Sequence, residues 1–148
     1  MKYLSLLSFL ITFGCNSQNT KNSIEGYAMP EIQSFFNNIK KSEVNLALDQ
    51  LLSSNPNLIL DDSATQIMKN RFNYINQVAG AFMGATLLKK RYINDDIGIY
   101  SYLSKYEKKF YRFVFIFYNN GKNVKLYQFT FDDDLVVELE ASLKYYLN

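Results

Sequence analysis

Near Thr86 the apolar residues of this chain change their spacing, from every third or fourth position to every second. A stretch with one period cannot bury its apolar side in the other conformation, so a helical half must precede a sheet. In the first half Pro30-Glu31 opens a segment with Ile32, Phe35, Phe36 and Ile39 on one face, and Pro suits a first helical turn. After Lys40-Lys41-Ser42, a second helix carries Val44, Ala47, Leu48, Leu51 and Leu52 and stops at Ser53-Ser54-Asn55-Pro56. Asn57 to Leu60 reads as a short strand. Asp61-Asp62-Ser63 offers caps for a third helix, with Ala64, Ile67, Met68, Phe72, Ile75, Val78, Ala79 and Phe82 as its buried stripe.

Strands are then expected at Thr86–Ile93, Ile97–Tyr106, Phe110–Tyr118 and Val124–Phe131. Asn94-Asp95-Asp96 makes one turn, and Asn119-Asn120-Gly121-Lys122 makes another with an Asn-Gly pair. Asp132-Asp133-Asp134 caps a terminal helix with Val136, Leu139, Leu143 and Tyr146 on one face, and Glu140 four before Lys144. The whole reads as an α+β domain over residues 30–148: three N-terminal helices packed on a curved four-stranded antiparallel sheet, plus a C-terminal helix. A chain of 148 residues allows one ordinary domain, and 48% hydrophobic with 16% aromatic content excludes a disordered one. On the third strand Tyr111, Phe113, Phe115 and Phe117 share one face, while Phe110, Arg112, Val114, Ile116 and Tyr118 share the other. Both faces are apolar, so the second is covered by the terminal helix, by another subunit, or by both.

The N-terminus carries an address. Lys2 precedes an apolar run, Tyr3 to Phe13, which is about half the ~20 residues needed to cross a bilayer and matches a secretory segment. The chain's one cysteine, Cys15, follows Gly14 at the end of that run. Thr12-Phe13-Gly14-Cys15 resembles the lipobox of a bacterial lipoprotein signal, with Phe13 in place of the usual small residue and Thr12 in place of Leu. The resemblance implies removal of residues 1–14 and lipidation of Cys15, with a membrane as partner through several acyl chains. A plain secretory peptide would leave an unpaired thiol outside the cell. Residues 15–29, rich in Asn, Ser, Gln and Thr, read as a flexible tether with a coil span of roughly 20 Å. No acidic cluster follows Cys15, and Asn16 is not the Asp of inner-membrane retention, so family analogy implies an outer-membrane anchor in the cell envelope, facing the periplasm.

From Glu31 to about Leu139, the order of elements resembles the cone-shaped fold of nuclear-transport-factor-like proteins, also called SnoaL-like or cystatin-like. The likeness rests on Phe35 and Phe36 in the first helix, a turn at Lys41-Ser42-Glu43, and Gly80-Ala81-Phe82-Met83-Gly84 as a glycine–aromatic–glycine turn. Ile97-Gly98, Tyr118-Asn119-Asn120, and Leu126, Phe129 and Phe131 before Asp132-Asp133 complete it, without the Trp usual near Val124. The resemblance implies a cone of helices and sheet that serves enzymes, binders and dimer scaffolds alike.

The chemistry on offer is sparse. His 0 and Cys 1 remove the commonest general base, a thiolate zinc site and any internal disulfide. Asp132-Asp133-Asp134 lacks the Gly and distal Glu of a calcium loop and reads as a helix start. Gly80 and Gly84 form G-x-x-x-G, but Lys69, Arg71 and Lys89 flank them and exclude a membrane span. Lys89-Lys90-Arg91 reads as a solvated strand face, since Lys+Arg 16 nearly balances Asp+Glu 14, and nucleic acid is not an expected partner. In the isomerase branch of the superfamily a Tyr hydroxyl works with a carboxylic acid inside the cone. Here Tyr100, Tyr102, Tyr111 and Tyr127 lie on strands, with no acid evident beside them.

The expectation is therefore a lipid-anchored envelope protein with a non-catalytic domain, without cofactor or metal. It binds a small apolar ligand, a peptide or another envelope protein, and can form a homodimer through the outer sheet face. Tyr100, Tyr102, Tyr111, Phe113, Phe115 and Tyr127 are the residues expected at a pocket or interface. Two alternatives stand beside it: a small isomerase, cyclase or hydratase using Tyr and Asp in the cone, and an immunity or inhibitor protein masking a partner.

Overall fold

Ser23 is the first described residue. Its hydroxyl oxygen accepts the N–H of Gly26 at 3.0 Å, capping helix α1, which spans Ile24–Lys40 in the computed structural model of the chain. Residues 23–58, 62–136 and 140 are described. The expected signal segment, Cys15 and tether residues 15–22 therefore lie outside the described residues, as does most of the expected terminal helix.

Residues 24–29, expected in the tether, belong to α1. Ile24, Ala28, Ile32, Phe35 and Ile39 are buried along one face of the helix. That stripe draws the chain into the core well before Pro30, which sits inside the helix and is tolerated there despite its missing N–H. Helix α2, Val44–Ser53, buries Val44, Ala47, Leu48, Leu51 and Leu52, the face its spacing predicts.

The strand expected at Asn57 to Leu60 is replaced by a 3-10 turn at Pro56–Leu58, and residues 59–60 lie outside the described residues. Asn55 is the physical reason. Its side-chain oxygen accepts the N–H of Asn57 at 3.2 Å, and its carbonyl accepts that of Leu58 at 2.9 Å, which curls the chain. Its buried amide donates to the Leu126 carbonyl at 2.8 Å.

Helix α3 spans Asp62–Ala79. Of its expected stripe, Phe72, Ile75 and Ala79 are buried and Met68 packs on the core, but Ala64, Ile67 and Val78 are exposed. Helix α1 lies against all four strands and takes the centre of the sheet, so α3 meets it chiefly through the Phe72 ring.

Four strands follow: β1 (Phe82–Ile93), β2 (Ile97–Tyr106), β3 (Phe110–Asn119) and β4 (Val124–Asp132). They form one open antiparallel sheet in the order β1-β2-β3-β4. β1 starts four residues before the expected Thr86, and Gly84, expected in a turn, lies within it beside a register shift. The turn itself falls at Gly80, whose φ of +82° suits glycine. At the β3–β4 turn the Asn120 side chain accepts the N–H groups of Lys122 and Asn123 at 3.0 and 2.9 Å.

The sheet divides the molecule. Tyr100, Tyr102 and Tyr106 of β2, Tyr111, Phe113, Phe115 and Phe117 of β3, and Leu126 and Phe129 of β4 are buried facing the helices. Phe35 sits at their centre, edge-on to Phe36, Phe72, Phe113, Phe115 and Phe129 at centroid distances of 5.2–6.1 Å. On the opposite face Ile97, Ile99, Leu103, Val114 and Ile116 are half-buried. Among the described residues all three helices lie on the aromatic side. Over the described residues the chain is thus α+β, with helices α1–α3 and a four-stranded open antiparallel sheet.

Candidate functional site

Tyr100, Tyr102, Tyr111, Phe113 and Phe115 all lie on the inner face and are buried, so the fold brings these five together as core. It does not bring Tyr127 to them. That residue sits at the β4 irregularity, 59% exposed, with its ring 6.0 Å from Tyr118. Cys15 lies outside the described residues.

The polar groups nearest this set form a chain at the start of α1. The Tyr92 hydroxyl donates to Glu25 Oε2 at 3.0 Å, and the Tyr100 and Tyr92 hydroxyls are 3.2 Å apart. A hydroxyl carries one proton, so Tyr100 donates to Tyr92. Lys90 Nζ donates to Glu25 Oε1 at 2.7 Å. The bond from Lys90, then that from Tyr92, holds the Glu25 carboxyl below its ordinary range, while burial pushes the Tyr100 hydroxyl far above its ordinary value. A general base working near neutrality needs a raised carboxylate pKa, and a proton shuttle needs a group that gives its proton up. The hydrogen-bonded run of Lys90, Glu25, Tyr92 and Tyr100 has neither. It pins the first turn of α1 to β1.

Glu31, half-buried on α1, is raised by burial; burial first, and then the charge of Glu31, raises Tyr27, whose hydroxyl bonds Ser54. The Tyr102 hydroxyl donates to the Met29 sulfur at 3.9 Å. Deeper in, Ser104 Oγ and Tyr106 Oη are buried without a hydrogen-bond partner among the described residues, and burial raises Tyr106. Among the described residues no group of three carboxylate, thiol or imidazole side chains is placed to hold a metal, and no helix is long and apolar enough to cross a membrane.

Open clefts lie around the rim of the domain. One, about 580 Å³, is lined by Ser23, Glu25, Tyr92, Asn94, Asp95 and Asn119. A second, about 870 Å³, lies between α3 and the ends of β3 and β4, lined by Arg71, Tyr74, Val78, Lys109, Tyr111 and Asp133. There Lys109 pairs with Asp133 at 3.0 Å, and Arg71 lies over the Phe131 ring at 5.4 Å. A third, about 430 Å³, opens between α1 and β1.

The clasp of Glu25, Lys90 and Tyr92 was not foreseen from sequence. Its signal was available: Ser23 ahead of Ile24, Ala28 and Ile32 is a cap before a helical stripe, and it places Glu25 in a first turn. No protein family, no curated protein and no solved structure matches the chain.

Proposed function

We propose that this is a lipid-anchored cell-envelope protein, held through Cys15 in the outer membrane and facing the periplasm, whose domain binds a partner instead of catalysing a reaction. One observation carries the binding half of the reading: the inner side of the sheet, where the enzyme alternative needs a substrate pocket, is filled. Phe35, Phe72, Phe113, Phe115, Phe117 and Tyr100 are all essentially inaccessible, and the clefts open at the rim. A cone-like nuclear-transport-factor-type domain with a filled interior is a scaffold, and its surfaces carry the work.

The partner favoured for the outer sheet face is a second copy. Four strands about 4.8 Å apart and about 30 Å long present roughly 600 Å² per copy, so two faces together reach the lower limit of a standard interface, about 1,200 Å². Ile99, Leu103, Val114 and Ile116 form its apolar centre, with Lys89, Arg91 and Lys125 at the margins. Replacing Ile116→Lys should convert a dimer to a monomer in sedimentation of the full chain while leaving its circular dichroism unchanged. A monomer in the unmodified chain at all concentrations would overturn the pairing. The anchor is tested separately. Cys15→Ser should move the protein from the membrane to the soluble fraction of cells, and unchanged fractionation would overturn it.

A further inference from the structure

We propose that the free edge of β1 and the cleft beneath α1 take an extended protein segment with alternating acidic and apolar side chains, added to the sheet as a fifth strand. This rests on the binding reading above but not on the pairing of outer faces.

The two edges of the sheet are treated differently. At β4 the buried Asn55 amide reaches across to the Leu126 carbonyl at 2.8 Å and ties the α2–α3 connection to that edge. β1 is paired with β2 alone, so among the described residues the backbone N–H and C=O groups on its other side face outward along Phe82–Ile93. Below that edge lies the 430 Å³ cleft, with Ile32, Phe36, Phe82, Ala85 and Tyr102 in its apolar lining. Gly84 lines this cleft and presents no side chain to an arriving chain.

Charge selects the occupant. β1 holds Lys89, Lys90 and Arg91 and no carboxylate, and the cleft adds Lys40 and again no acid. Glu25 neutralises Lys90, whereas Lys89, Arg91 and Lys40 make no ion pair among the described residues. Lysines on an edge strand ordinarily guard it against pairing. Here they set the sign of what is admitted: two β1 edges side by side would oppose cation to cation, while a strand bearing Glu or Asp gains a partner at each. Lys89 and Arg91 pair with Ser101 and Ile99 and point to the outer face, whereas Ala85 and Leu87 pair with Ser104 and Tyr102 on the inner face. An added strand therefore needs acids on its outer side and apolar groups on its inner side. Its backbone bonds supply affinity and the alternation supplies specificity.

The test is hydrogen–deuterium exchange of the full chain with a synthetic peptide of alternating Glu and Val, about eight residues long, an ordinary strand length. Slowed exchange across residues 84–93, absent with a peptide carrying Lys for Glu, is the expected result. Equal protection by both peptides, protection at β4 instead, or no protection overturns the inference. The double substitution Lys89→Glu with Arg91→Glu should weaken the Glu peptide by about tenfold and admit the Lys peptide. A folded double variant that still prefers the Glu peptide also overturns it. Sedimentation of the same samples reads the outer-face pairing independently: a monomer with β1 protected sinks that pairing alone, and a dimer without protection sinks this inference alone.

Discussion

On the helix side of the sheet, rings meet rings: Phe35 touches five others, and Phe72, Phe113, Phe129 and Phe131 close the layer behind it. On the other side Ile99, Leu103, Val114 and Ile116 stand half-buried beside Arg112, whose guanidinium holds Asp132 at 2.9 Å. Both faces are apolar in the sequence, yet they are built differently. Edge-to-face rings have preferred geometry, so the inner face specifies one packing. Branched aliphatic side chains on a pleated surface accept many neighbours, which suits a face that meets a partner.

Substitutions on each face should separate the two most sharply at Phe35. Phe35→Ala removes the ring at the centre of the inner layer and should cost about 3–5 kcal/mol in chemical unfolding, whereas Val114→Thr on the outer face should cost less than about 1 kcal/mol. Comparable losses at the two sites would show that the outer face is core as well. A smaller effect, of opposite sign, is expected at Tyr106, whose buried hydroxyl has no partner among the described residues. Tyr106→Phe should raise stability by about 1 kcal/mol in the same measurement. No gain would mean that the hydroxyl is satisfied, and the inner face less purely apolar than described.

The mildest effect belongs to the margin, where Glu25 clasps Lys90 and Tyr92. The Glu25 pKa is lowered from its ordinary 4.5, so its contribution is complete above that value and is lost as pH falls through the lower folded value. The Lys90 pKa is raised from its ordinary 10.5, so its contribution is complete below that value and is lost as pH rises through the higher folded one. Acid should therefore lower the amide protection factors, exchange rates taken relative to the intrinsic rate at the same pH, in the first turn of α1 and leave those around Phe72 and Phe113 unchanged. An equal loss of protection at both places would mean that margin and core open together.

Much of this architecture was legible from spacing. The α2 stripe and the limits of β2 are those the periodicity predicts, because burial on one face leaves a strict signature. The start of α1 was not, since Pro30 resembles a helix opening and the polar residues before it mask Ile24 and Ala28. Three positions of the α3 stripe misled for a different reason. Ile67 and Val78 have the right spacing, but which helix occupies the middle of the sheet is a tertiary outcome that no local pattern encodes. The inner-face tyrosines could be placed on strands, but whether they lined a hollow or filled one depended on Phe35 and Phe72 arriving from other elements. The edge cations were visible as a run of three and looked like ordinary solvated charge until their strand proved to have one free side.

The end of α3 has a consequence for the order of folding. Its final carbonyl, at Ala79, accepts the N–H of Lys108 at 2.9 Å, and Ala81 accepts that of Glu107 at 3.1 Å, while a side chain at Gly80 would run into Glu107. The helix is thus terminated by residues of the β2–β3 turn, far along the chain. That turn exists only once β2 and β3 have met, so the cap on the α3 C-terminus forms after a hairpin made of later sequence is already in place.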